Sequence, residues 1–341
     1  MKITIADVAQ KAKVSKTTVS RIINGNYAHT TEETKQKVLR AIEELEYRPN
    51  ALAQGLKATK TNVIGMILSN LKNPFWSTVL EGIEDTCRAS GYHLMIFNSN
   101  ENEHVEKELI KEFKTRRVDG IIIHPTCKDQ LIYDRLIEEK HPLVIINRRV
   151  DNPMATGVVV DNVKGAYIAV NHLLKYGRTG VAVAVFQNPY VSTWKERVEG
   201  YKKAMLANGY AEEQCKILEL EEGKPQIEPI KRWIKRNSDV DAIFSTNTTV
   251  TLEVIGALKD MGKQIPHEIA IVSYDETIWS KYIDPPLTTI KQPGYVMGQQ
   301  AAQCLIDQIE TKEKLEPLEP QMNVLVPELI IRASCGAIPQ D

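Results

Sequence analysis

Seven short apolar runs, separated by longer amphipathic stretches, restrict this chain more than any other feature. They are VIGMIL at 63 to 68, HLMIFN at 93 to 98, GIIIH at 120 to 124, LVIIN at 143 to 147, VAVAVF at 181 to 186, AIFST at 242 to 246 and AIVSY at 270 to 274. Strands apolar along their whole length are covered on both faces. With ten to twenty residues of helix between them they predict doubly wound parallel sheets. The pattern restarts near Asp161, so two similar α/β subdomains are expected.

The first sixty residues read differently. In TIADVAQKAKVSKTTVSRIINGN, Ile5, Val8, Ala9 and Ala12 recur at helical spacing, and Thr4 with Asp7 offers a capping box. A break at Lys13 and Val14 is followed by Ser15, an N-cap for a second helix with Val19, Ile22 and Ile23 on one face. Lys16, Thr17, Ser20, Arg21 and Asn24 cover an arc of roughly 140° nearly opposite, and none is acidic. Two helices and a tight turn form a helix-turn-helix whose second helix can lie in a major groove. Thr30 and Glu33 suggest a third helix carrying Val38, Ala41, Ile42 and Leu45, stopped by Tyr47, Arg48 and Pro49.

Charge separates the two regions. Residues 1 to 60 carry a formal +5 and residues 61 to 341 a formal -6, so only the head suits a polyanion. Five scattered cysteines, Cys87, Cys127, Cys215, Cys304 and Cys335, with no C-x-x-C pair, argue against a disulfide framework and a zinc site. The opening MKITIADVAQ has no apolar signal-like run, and no stretch approaches eighteen apolar residues, so a cytoplasmic protein without a membrane partner is expected. There is no G-x-x-x-x-G-K-[ST], G-x-G-x-x-G, H-E-x-x-H or G-x-S-x-G, hence no catalytic residue, cofactor or metal is assigned and an enzyme is not expected.

IADVAQKAKVSKTTVSRIINGN followed by YRPNALAQGLKATKT resembles the amino-terminal domain and hinge of the LacI/GalR family of bacterial transcription regulators. Lys13 stands where that family usually has Gly, a left-handed residue costing about 1 kcal/mol. The resemblance implies a hinge helix that pairs with its dimer mate in the minor groove, with Leu56 wedged into a base step. Ala53, Gln54, Gly55, Leu56 replaces the family's Ala-Arg-x-Leu, so a phosphate contact is weaker and Gly55 makes ordering costlier. Within the head, Arg21 is the candidate for a bidentate guanine contact, Lys16 and Thr17 for other base edges, and Ser15, Ser20 and Tyr47 for phosphates. Thr4, Thr18, Asn24, Asn50 and Ala53 complete the expected DNA-contacting set.

The resemblance also implies a body like periplasmic sugar-binding proteins, with three chain crossings near Asp161, Lys291 and Pro320. The expected divisions are residues 1–49 (head), 50–61 (hinge), 62–160 plus 293–320 (first subdomain) and 161–292 plus 321–341 (second subdomain). Ligands of open α/β sheets bind beyond strand ends. The effector candidates carried over there are Asn73, Phe75, Asn147, Arg148, Ser192, Arg197, Asn247, Asp275 and Gln292. Thr193 neighbours Arg197 in its motif, and Thr248 stands where Asp is common. Many relatives have Asp-Arg where this chain has Asn147 and Arg148. With Arg149 and Arg197 nearby, the reading leans to a sugar acid, as in 2-keto-3-deoxygluconate regulators, over a neutral sugar. His124 reads as a rim histidine. Lys231, Arg232, Lys235 and Arg236 read as a solvated helix face.

The expected function is a repressor that binds a palindromic operator on double-stranded DNA as a homodimer and is controlled by a sugar or sugar acid. The C-terminal ASCGAIPQD lacks a leucine heptad, favouring a dimer over a tetramer. The alternative is a sugar-binding protein without a DNA role.

Overall fold

The computed structural model describes residues 3–23, 26–27, 30–47, 60–126, 128–188, 190–314 and 319–337. The chain divides into two compact units, Met1–Thr61 and Asn62–Asp341. Asn24, Asn50, Ala53 and Leu56 lie outside the described residues, so the hinge and wedge expectations have no structural account here.

In the first unit, α1 (Ile5–Ala12) starts at Thr4, whose amide and hydroxyl both donate to the Asp7 carboxylate at 2.7 Å. Those two bonds, the hydroxyl's foremost, hold the Asp7 carboxyl below its usual range. Lys13 closes the helix at φ 54° and ψ 43°, the left-handed turn expected there. The Ser15 hydroxyl accepts from the Thr18 amide at 3.0 Å and caps α2 (Lys16–Ile23). For α3 (Glu32–Glu44) the cap is Thr31 and not Thr30: its hydroxyl accepts from the Thr34 amide at 3.3 Å. Adjacent threonines offer two equivalent acceptors, and the chain uses the later. Val8, Ala9, Ala12, Val19, Ile22, Val38 and Ala41 form one small core joining the three helices.

The second unit holds two six-stranded sheets. The first lobe contains β1 (Val63–Leu68), β2 (His93–Asn98), β3 (Gly120–Ile123), β4 (Leu143–Ile146), β5 (Gly157–Val160) and β11 (Met322–Leu325), ordered β11-β5-β4-β3-β1-β2 and parallel throughout. Against it lie α4 (Phe75–Ala89), α5 (Glu103–Arg116), α6 (Leu131–Glu138) and α11 (Gly294–Lys314). The second lobe contains β6 (Val181–Phe186), β7 (Lys216–Leu220), β8 (Ala242–Ser245), β9 (Ala270–Tyr274), β10 (Thr288–Lys291) and β12 (Glu328–Ile330), ordered β12-β10-β9-β8-β6-β7, with β12 antiparallel. Its helices are α7 (Asn162–Lys175), α8 (Ser192–Ala207), α9 (Ile227–Arg236) and α10 (Thr248–Asp260).

The chain crosses between lobes after β5, after β10 and after β11. The third crossing corrects the sequence reading. Met322 pairs with Gly157 and Leu325 with Val160, so residues 322–325 still belong to the first sheet. The break is at Pro327, just before β12, and not at Pro320: proline cannot donate to a ladder, but one preceding a strand need not end the lobe. In the first lobe, α4 and α11 come from distant parts of the chain and cross at Gly82 and Gly298. A Cβ on Gly82 would lie 2.2 Å from the Tyr295 carbonyl oxygen, and one on Gly298 2.1 Å from that of Val79.

Candidate functional site

On the head, Lys16, Thr17 and Arg21 are exposed on the face of α2 opposite buried Val19 and Ile22. Among the described residues neither Lys16 nor Arg21 is in an ion pair, whereas Lys11, Lys35 and Lys37 pair with Glu44, Glu32 and Glu33. Two uncommitted cations and a threonine on one helix face suit phosphates and base edges. Ser20 is half-buried, Thr18 shares a 2.9 Å hydroxyl contact with Ser15, and Tyr47 packs against the head core. Arg21→Ala is expected to weaken specific binding by about 1 to 3 kcal/mol, with relaxed preference confined to particular base pairs in a competition array. Equal loss on every duplex would contradict a base-reading role.

In the body, carboxyl ends of strands from both lobes meet at a cleft. From the first lobe come Asn73, Phe75, Trp76, Glu101, His124, Asn147 and Arg148, and from the second Phe186, Thr193, Trp194, Arg197, Glu222, Asn247, Asp275 and Gln292. A wider hollow beside His141, Leu143 and Gln308 in the first lobe is mainly apolar, without this convergence of charge and aromatic surface. The Arg148 guanidinium, 4% exposed, is bound in fork fashion to Glu101 at 2.8 and 2.7 Å, and Nη1 also donates to the Pro125 carbonyl at 2.9 Å. Ser69 donates its hydroxyl proton to Glu101 at 2.8 Å and lies 2.7 Å from His124 Nδ1. Since that hydroxyl has one proton, the imidazole must be the donor from Nδ1. Burial, aided by Arg148, depresses the His124 pKa well below its usual value, so the ring is neutral, and it packs against Trp76 in a tilted contact with ring centroids 4.4 Å apart.

Opposite, Arg197 is 4% exposed; Nε donates to Asn162 Oδ1 at 2.9 Å, Nη1 donates to the Thr246 carbonyl at 2.5 Å, and the guanidinium lies 3.5 Å over the Tyr274 ring. Asp275 accepts from Gln292 Nε2 at 2.5 Å and, across the lobes, from Asn73 Nδ2 at 3.0 Å. Asn147 and Asp275, each just beyond a strand end, are left-handed at φ 66° and 78°. Non-glycine residues held there cluster at functional sites. Asn247 caps α10 through Oδ1, accepting from Val250 at 2.9 Å. Among the described residues, two buried oxygens on the cleft residues have no partner, Asn147 Oδ1 and Gln292 Oε1.

Eight of the nine effector candidates therefore line the cleft. The exception is Ser192, whose hydroxyl accepts from the Arg149 amide at 2.9 Å instead. Two residues that the sequence reading left unassigned, Trp194 and Glu222, join the lining from α8 and the turn after β7, and Trp76 and Glu101 join from the first lobe. This geometry does not support the lean to a sugar acid. Arg148 is neutralised by Glu101, Arg149 Nε is bound to Glu196 at 2.9 Å, and Arg197 is engaged by a carbonyl, an amide and a ring. Glu101, Glu222 and Asp275 outnumber Arg148 and Arg197 in the lining, and Glu222 makes no ion pair among the described residues. Desolvation foremost, then Glu101, raises the Glu222 pKa.

Among the described residues no group of His, Cys, Asp and Glu could hold a metal, and no helix is long and apolar enough to cross a membrane. A helix-turn-helix head with a two-lobed binding body defines a ligand-responsive DNA-binding regulator. Comparison with known proteins gives the family. Residues 4–50 match "Bacterial regulatory proteins, lacI family" and residues 61–324 match "Periplasmic binding proteins and sugar binding domain of LacI family". The chain is 33% identical over 340 residues to the HTH-type transcriptional repressor PurR of Aliivibrio fischeri, covering 97% of this chain and 98% of that one. Among solved structures, the complex of the transcriptional regulator CelR with cellobiose has 26% identity, 97% and 99% coverage and a TM-score of 0.73. The lac repressor dimer bound to operator and the anti-inducer ONPF, at 23% identity, has 99% and 100% coverage and a TM-score of 0.85, a likeness of fold. The chain belongs to the LacI family. It is a DNA-binding transcription regulator and not an enzyme, which sets aside a sugar-binding protein without a DNA role.

Proposed function

We propose that this regulator binds a palindromic operator as a cytoplasmic homodimer and that a neutral sugar closing on the cleft sets its operator affinity. The observation carrying the ligand class is the pair of buried acceptors without partners among the described residues, Asn147 Oδ1 and Gln292 Oε1, beside an Arg148 already neutralised by Glu101. A ligand rich in hydroxyl donors meets those oxygens; a carboxylate finds only Arg197, already bonded to a carbonyl and an amide. Phe75, Trp76, Phe186 and Trp194 supply apolar faces suited to the C–H side of a sugar ring. CelR with cellobiose supports a sugar as the ligand type. For the dimer, Leu252, Ile278 and Tyr282 leave large apolar groups exposed on the second lobe, Ile278 at 81%.

Closure of the lobes would change the spacing of the two hinges in the dimer and so decide whether the hinge helices can pair, with induction as the working expectation. Thermal-shift assays with neutral sugars and sugar acids test the ligand class. Stabilisation by a neutral sugar alone is expected, and stabilisation only by sugar acids would overturn it. Asp275→Asn keeps the left-handed turn tolerable but turns one acceptor into a donor facing Asn73 or Gln292. We expect on the order of hundredfold weaker sugar binding by titration calorimetry, about 2.7 kcal/mol, with the fold retained. Leu56→Ala is expected to lower operator affinity and reduce bending in a circular-permutation gel assay; an unchanged bend would count against a wedge.

A further inference from the structure

A line of hydrogen bonds runs from the first lobe to Arg197 without passing through the cleft. Arg149, three residues beyond β4, reaches the second lobe twice. Its amide donates to Ser192 Oγ at 2.9 Å and its Nε to Glu196 Oε1 at 2.9 Å. The other Glu196 oxygen accepts from Asn162 Nδ2 at 2.8 Å, and Asn162 Oδ1 accepts from Arg197 Nε at 2.9 Å. Asn162 is 1% exposed, stands immediately after the first crossing, and also donates from Nδ2 to the Val160 carbonyl at 3.2 Å. Its amide orientation is therefore fixed by its neighbours, nitrogen toward a carboxylate and oxygen toward a guanidinium.

Ser192 and Glu196 are one turn apart on α8, as are Thr193 and Arg197. One pair faces Arg149 and the other faces the cleft. The same two turns of helix thus hold the lobes together and present Arg197.

We infer that Arg149 is a positioning residue: a latch between the lobes that, through Glu196 and Asn162, fixes Arg197 in its binding orientation. Separation of the lobes removes the cation from Glu196 and loosens the amide that aims Arg197, so closure and ligand affinity are linked. The ligand half of this rests on the cleft reading above; the latch itself does not.

The test uses the full chain. Hydrogen exchange resolved to single amides reads the latch directly, because the Arg149 amide is bonded across the lobes. Protection of that amide without ligand is expected, with Ser192→Ala speeding its exchange on the order of tenfold. Glu196→Gln should speed it several-fold although residue 196 does not touch that amide, and exposed Lys195→Gln should not. An unprotected Arg149 amide in the parent protein, or no response to Glu196→Gln, overturns the latch. Tryptophan fluorescence, with Trp76 and Trp194 at the cleft, then follows titrations of D-ribose, D-glucose and cellobiose. For any sugar that binds, Arg149→Ala should raise the dissociation constant about tenfold and Arg149→Lys should recover most of it. An unchanged constant in Arg149→Ala overturns the link to Arg197. If none of the three perturbs the parent protein, the cleft reading loses its support while the exchange result still decides the latch.

Discussion

Replacing Glu101 by alanine is expected to destabilise the body by about 3 to 5 kcal/mol, measured as a shift in urea midpoint at constant slope. Arg148 is almost wholly buried, and among the described residues its guanidinium keeps only the Pro125 carbonyl once the carboxylate is gone. Ser69 loses its acceptor as well, which frees the hydroxyl that orients His124. An unpaired buried cation cannot shed its charge, since arginine stays protonated, so the loss must appear as stability. Removing both ends of the pair, in Glu101→Leu with Arg148→Met, should cost less than removing Glu101 alone. A single mutant within 1 kcal/mol of the parent would show that water reaches Arg148 and that the pair does not hold this wall of the cleft.

Gly298→Val should destabilise the first lobe by about 3 kcal/mol or more, read by the same unfolding measurement. The Cβ would meet a carbonyl oxygen and not a flexible chain end, and Val79 and Ile83 on the facing helix are both core residues. Relief requires α4 and α11 to separate, which opens the packing of Met297, Ala301 and Leu305 on the sheet. Gly177→Ala provides the contrast. That glycine sits at φ +81° with nothing within 4 Å of the added carbon, so only backbone strain of about 1 kcal/mol is expected. Similar losses at the two positions would mean that the helix crossing is not close-packed.

The central strands were readable because both faces are covered and nearly every residue is apolar: VIGMIL, VAVAVF and AIVSY begin and end where the strands do. Of the outer strands only HLMIFN, apolar in its four middle residues, was readable. KILEL and MNVL are short and mix polar with apolar residues because they sit at sheet edges, where one side of the ladder is open. That is why the third crossing was placed seven residues early. In the cleft, residues fixed to strand ends by local motif, such as Asn73, Arg148, Arg197 and Asp275, were legible. Glu101 was not, because its role comes from Arg148, far along the chain, and Glu222 was not, because only the juxtaposition of the lobes brings it to the lining. Ser192 shows the limit of motif transfer: one helix step of about 100° separates it from Thr193 and turns it toward Arg149. The sugar-acid reading lost its basis for a related reason, since counting arginines cannot reveal that carboxylates already hold Arg148 and Arg149.

Regulation by this chain requires that the head read a symmetric site under control of the cleft. Selection of duplexes from a random pool by the full-length protein at about 0.15 M salt, where loose electrostatic contacts are screened, tests this most directly. The enriched sequences should be palindromic, and their binding should respond to a neutral sugar in the parent protein but not in Asp275→Asn. Recovery of no symmetric sequence, or palindrome binding that the same sugar alters equally in both proteins, would contradict it.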